Sequence, residues 1–107
     1  MPGELNVDVL ADRERTDGAF ALLDVSAAEG SGPPEHIHDD QDEALLVLEG
    51  GLTVTIDGDR QQAAPGRVVF IPRGSRHAYR VVTPHARFLA ILTPPGYGGP
   101  VMSVRIP

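Results

Sequence analysis

The sequence predicts an all-β fold, a sandwich or barrel of short strands, and three observations carry that expectation. Short apolar runs recur at intervals of roughly ten residues, broken by Gly, Pro and Asp, the rhythm of strands joined by tight turns. No segment has convincing helical periodicity. The alternating run Leu52-Thr53-Val54-Thr55-Ile56 leads straight into Asp57-Gly58, a strong hairpin signal because that pair accepts positive φ.

The elements follow in chain order. Leu5 to Leu10 and Ala19 to Ala27 are the first two apolar runs. Pro33-Pro34 then sets an extended approach to a short strand from Glu35 to Asp39. Glu43 to Glu49 is apolar on both faces as far as Leu48, so one face should line the interior and the other should meet a second layer or a second subunit. Gly50-Gly51 bends the chain into Leu52 to Ile56, and Gln61 to Ala64 returns from the Asp57-Gly58 turn. Arg67 to Ile71 ends at Ile71-Pro72-Arg73-Gly74, a turn with Pro at its second position. His77 to Val82, the loop Thr83-Pro84-His85-Ala86, Arg87 to Thr93 and Val101 to Ile106 complete the set. Phe20, Phe70 and Phe88 are expected as core or wall residues, and His85 as an exposed loop residue.

Function concentrates in four side chains. His36 and His38 stand at i and i+2, and alternate side chains of a strand point to one face, so both rings can aim at one point while Ile37 turns into the opposite layer. Glu43 and His77 must then arrive from neighbouring strands. An isolated His-x-His is common on solvated strands. Three imidazoles and a carboxylate form an N3O ligand set that leaves one or two positions for water, dioxygen or substrate, and it suits one divalent transition metal per chain: Fe, Mn, Ni, Co, Cu or Zn. The neighbouring Asp39, Asp40 and Asp42 are alternative oxygen ligands, read otherwise as a solvated acidic turn. If Glu43 and His77 face inward, strand parity turns Leu45, Val47, Tyr79 and Val81 inward with them.

These residues fall into two spaced motifs, and through them the chain resembles a small single-domain bacterial cupin. The first family motif, Gly-x5-His-x-His-x3/4-Glu-x6-Gly, is matched by Gly30, His36, His38, Glu43 and Gly50. The second, Gly-x5-Pro-x-Gly-x2-His-x3-Asn, is matched by Gly66, Pro72, Gly74 and His77, while Val81 stands where the family often has Asn. The segment from Gly51 to Pro65 is near the shortest the family uses. The resemblance implies a cupin jelly-roll β-barrel, or double-stranded β-helix, spanning residues 1–107 as one domain, with motif 1 at 30–50 and motif 2 at 66–81. It favours Glu43 as the oxygen ligand. It also implies a homodimer formed through sheet faces and terminal strands, with the last strand kept within the chain or swapped to its partner.

Composition narrows the function. The chain has 107 residues, enough for one core without disulfides, and contains no cysteine, which excludes thiolate metal sites and cysteine nucleophiles. Fifteen acidic against nine basic residues give a formal charge of −6, which argues against nucleic acid as a partner. Arg73, Arg76, Arg80 and Arg87 are read as solvated positions, with a minor alternative that one meets an anionic substrate. The N-terminal stretch has no apolar run of signal-peptide or membrane-spanning length, so the expectation is a cytoplasmic protein with no membrane partner. The expected partner is a small-molecule substrate. Three functions stay open: a quercetinase-like dioxygenase in which Glu43 deprotonates an enol or phenol, a redox-neutral cyclase, isomerase or lyase similar to polyketide-cyclase cupins, and a binding module without turnover. Glu43 and Tyr79 are the candidate catalytic residues, Tyr79 as a hydrogen-bond donor beside the metal.

Overall fold

The computed structural model describes residues 5–95 and 104–106. Every regular element is a strand: β1 (Leu5–Ala11), β2 (Ala21–Ala28), β3 (His36–His38), β4 (Asp42–Glu49), β5 (Leu52–Ile56), β6 (Asp59–Ala63), β7 (Val68–Ile71), β8 (Arg76–Val81), β9 (His85–Thr93) and β10 (Val104–Arg105). Each expected strand has a counterpart, with ends shifted by at most two residues where they fall among the described residues. The expected Val101 to Ile106 strand lies partly outside the described residues, and its described part, β10, pairs with β3 of the same chain.

Two five-stranded antiparallel sheets result, one in the order β1-β2-β9-β4-β7 and the other β10-β3-β8-β5-β6. Consecutive strands cross repeatedly between them, as in a jelly roll. The facing sides alternate apolar residues with a period of two: Ala21, Leu23, Val25 and Ala27 on β2, Ala86, Phe88, Ala90 and Leu92 on β9, and Leu45 and Val47 on β4 are all buried. Leu52, Val54, Ala63 and Val81 close the core from the second sheet.

Turn chemistry matches the sequence. Asp57 and Gly58 both take positive φ, 49° and 87°, the requirement of a two-residue hairpin between β5 and β6. Gly50 has φ 73°, and a Cβ built there would collide with the carbonyl oxygen of His85, so this motif glycine serves a close backbone approach. Val81, at the position where Asn is frequent, buries its side chain in the core. Its backbone still joins the motifs, because the Gly30 N–H donates to the Val81 carbonyl at 2.9 Å and the Val81 N–H donates to the Ser31 carbonyl at 2.9 Å.

Two aromatic expectations need correction. Phe88 is buried, but Phe70 is 58% and Phe20 38% exposed. Phe70 lies on β7 between the inward Val69 and Ile71, so parity sends it to the outer face of the sheet. There it pairs with Ala44, which in turn pairs with Ile91. Apolar residues on that outer face are thus not covered within the described chain. His85 is exposed as expected, although it opens β9 instead of lying in the loop.

Candidate metal centre

The three histidines converge because β3 and β8 are hydrogen-bonded neighbours. His36 pairs directly with His77, and His38 follows His36 on the same face. The ring centroids of His36 lie 4.9 Å from His38 and 4.2 Å from His77, and those of His38 and His77 are 5.3 Å apart. One ligating nitrogen from each falls within 4.8 Å of the others. Ile37 turns to the opposite face, where it pairs with Arg76. The turn before His77 is tied to the same strand, since the Gly74 N–H donates to the His38 carbonyl at 2.8 Å.

Glu43 reaches the cluster from the other sheet. Its Oε1 lies 3.7 Å from His77 Nε2. Leu45 and Val47 share its inward face, and Tyr79 and Val81 share that of His77, as parity requires. Tyr79 packs edge-to-face on Phe88, with ring centroids 5.2 Å apart and planes at 77°. His36, His38, His77 and Tyr79 from one sheet and Glu43 from the other line a cavity of about 300 Å³ whose floor is the apolar inner face of β2 and β9.

The hydrogen bonds around the rings fit a metal site. The Nδ1 atoms of His36 and His77 lie 2.8 Å and 3.1 Å from the carbonyl oxygens of Pro34 and Ser75. A carbonyl only accepts, so each Nδ1 carries the proton and each Nε2 keeps its lone pair. Such backbone carbonyls are common orienting partners of metal-bound histidines. Both stand two residues before their histidine, a regularity visible in the sequence but uninformative without the strand geometry. His38 Nδ1 and His77 Nε2 are buried and have no hydrogen-bond partner in the protein. Buried polar atoms are rarely left so, and a cation held among the three rings accounts for His77 Nε2, whose ring partner Nδ1 is already bonded to the Ser75 carbonyl. His36, His38 and His77 would hold it, with Glu43 as the adjoining oxygen donor.

Burial drives the site toward neutrality. It pushes His38 down to about 4, helped by the charges of His36 and His77, and lowers His77 against the opposing pull of the Ser75 hydrogen bond. Neutral imidazole is the ligating form. Burial raises Glu43 to about 7 and, with the nearby Glu43 charge, Tyr79 to about 12. Because the folded-state value of Glu43 exceeds its ordinary 4.5, the folded chain retains a proton that the unfolded chain loses between about pH 4.5 and 7. Stability contributed by the protonated acid is therefore lost as pH rises through that window. In chelator-treated protein, Glu43→Gln is expected to abolish this component, so that wild type loses up to about 3 kcal/mol more than the variant between pH 4.5 and 8. Denaturant titrations of both proteins at the two pH values check it; equal losses would contradict it.

The remaining polar candidates are placed elsewhere. Asp42 is not a freely solvated turn residue: its carboxylate accepts the Arg73 backbone N–H at 2.8 Å and two guanidinium bonds at 3.2 and 3.1 Å. Arg87 pairs with Asp24 at 2.7 Å, and Arg76 lies 3.9 Å from Glu35. Arg80 borders a separate groove on the outer side of the second sheet. Among the described residues no arginine lines the cavity, so an arginine contact to an anionic substrate has no support there. Among them, too, no helix is long and apolar enough to cross a membrane.

Comparison with known proteins agrees with this geometry. Residues 23–92 match the family described as the cupin domain. The chain belongs to the cupin family. Quercetin 2,3-dioxygenase of Bacillus subtilis is 34% identical to this cupin over 82 residues, covering 77% of this chain and 24% of that protein. The tetracenomycin polyketide synthase protein TcmJ of Streptomyces glaucescens is 32% identical over 53 residues, covering 50% of this chain and 36% of the other. This cupin therefore aligns with well under half the length of either relative. Among solved structures, KdgF from Halomonas sp. superposes with a TM-score of 0.80 over 88% of this chain and 82% of that one, at 17% identity, a likeness of fold alone.

Proposed function

We propose that this cupin is a metal-dependent enzyme acting on a small enol or phenol, with dioxygenation as its reaction. One observation carries the reading: three buried imidazoles and a largely buried carboxylate converge from the two sheets on one cavity whose floor is apolar. When bound, a transition metal supplies Lewis acidity toward the substrate oxygen and, if redox-active, the one-electron steps that reaction with dioxygen requires. The protein handles the proton. A Glu43 carboxylate accepts it from the substrate hydroxyl, and the neutral acid then formed suits its buried position. Tyr79 stays protonated at neutral pH and serves as a hydrogen-bond donor to the substrate oxygen. The apolar floor excludes water from the reacting carbons.

The similarity to a quercetin dioxygenase supports oxygen chemistry, and the similarity to TcmJ supports a second reading, redox-neutral cyclisation or isomerisation with the same proton acceptor. Oxygen-electrode measurements on metal-loaded protein with a panel of phenols and enols separate the two. Dioxygenation predicts one O₂ consumed per substrate consumed. Product formation without oxygen uptake selects the second reading, and binding with no turnover would leave a ligand-binding barrel.

The proposal extends to assembly and place. A second copy covering Val68, Phe70 and Ile91 on the outer face of the first sheet would bury an apolar surface that a lone chain leaves in water. The working location is the cytoplasm, where a cysteine-free chain needs no oxidising compartment.

A further inference from the structure

We infer that Ala90 sets the substrate class of this site, opening a pit in the cavity floor that admits a single-ring phenol or enol and disfavours multi-ring polyphenols. The inference rests on the proposed enol or phenol site and adds to it the size and polarity of the ligand.

Ala90 sits near the middle of β9 on the inner face, between Phe88 and Leu92 along the strand. Its cross-strand partners are Leu23 on β2 and Leu45 on β4. All four neighbours are branched or aromatic and buried, so the one small side chain lies at the centre of a bulky apolar frame. Among the described residues that line the cavity, Ala90 is the only alanine. A longer side chain at this position would rise from the floor toward the three histidines on the facing sheet.

The cavity volume of about 300 Å³ lies at the lower end of the ~300–1,000 Å³ range of pockets that enclose drug-sized ligands. Its polarity is one-sided. A ligand can direct one oxygenated edge at the His36, His38 and His77 wall, while its opposite edge meets Leu23, Val25, Ala90 and Leu92. A hydroxyl on that far edge would lose water without gaining a partner, weakening binding by at least about fivefold. Among the residues whose side chains are described, no arginine lines the cavity to receive a second anionic group. Polarity therefore points to one ring or a short enol oxygenated on one side, and against a polyphenol with hydroxyls at both ends.

The test uses full-length protein loaded with Zn²⁺, a redox-inert ion, so that binding is read without turnover. Absorbance titrations follow 4-methylcatechol, apolar on the edge opposite its hydroxyls, as the single-ring probe and quercetin as the multi-ring probe. Wild type is expected to bind 4-methylcatechol at least about tenfold more tightly than quercetin. Ala90→Leu should weaken 4-methylcatechol by about tenfold or more at unchanged zinc content, and Ala90→Gly, which cannot overpack the core, should narrow the gap between the probes. Quercetin binding as tightly as 4-methylcatechol in wild type would overturn the inference, and so would an unchanged ratio in Ala90→Gly. Wild type that holds zinc yet binds neither probe would instead overturn the enol or phenol reading on which the inference rests.

Discussion

Replacing His77 with Ala is expected to weaken metal binding by more than about a hundredfold. Removal of an outer partner of a metal ligand already costs about 10- to 100-fold, and His77 is a proposed ligand itself. Its Nε2 is buried and without a hydrogen-bond partner, and one of its ring nitrogens lies within 4.8 Å of one from each of the other two histidines. The fold should survive, because the apolar cluster built on Phe88, Leu45, Leu52 and Leu92 contains none of the three histidines. A metal present at a thousand times its dissociation constant stabilises the native state by about 4 kcal/mol. Chelation should therefore lower the melting temperature of wild type and leave that of the variant unmoved. Equal metal content in both proteins would remove His77 from the site.

The second large effect belongs to Glu43. Glu43→Gln keeps the shape of the side chain and removes its ability to accept a proton, so kcat should fall by about 10²- to 10⁴-fold, the usual worth of a positioned acid or base. Metal content should stay near that of wild type, because the three imidazoles remain. The two variants thus separate two roles: His77→Ala loses the metal and with it all turnover, whereas Glu43→Gln keeps the metal and loses rate. A Glu43→Gln enzyme with an unchanged rate would show that the proton goes elsewhere, and one without metal would make Glu43 an indispensable ligand.

The sequence made the strands and the ligand set legible because both depend on local patterns. Period-two alternation and Gly or Pro punctuation locate the strands to within two residues at their described ends. Parity alone oriented Glu43, Leu45 and Val47, and likewise His77, Tyr79 and Val81. Long-range register was a different matter. The direct pairing of His36 with His77 belongs to the topology, and Glu43, expected from a neighbouring strand, comes instead from the other sheet. Charged side chains were the least legible. Asp42 and Arg73 are 31 positions apart, and Asp24 and Arg87 are 63 apart, so no local pattern could reveal their pairing. Phe70 departs from expectation because its hydrophobicity points inward while parity on β7 turns it to the outer face. Ala90 carried no sequence signal of its own, since its meaning comes from the bulk of Leu23, Leu45, Phe88 and Leu92 around it.

The central claim is that His36, His38 and His77, beside Glu43, hold one transition metal per chain. Elemental analysis of freshly purified, untagged protein, prepared without chelators and normalised per chain, tests it most directly. The account predicts close to one equivalent of Fe, Mn, Ni, Co, Cu or Zn in wild type, or uptake of one equivalent on reconstitution. Negligible metal together with no uptake would contradict it.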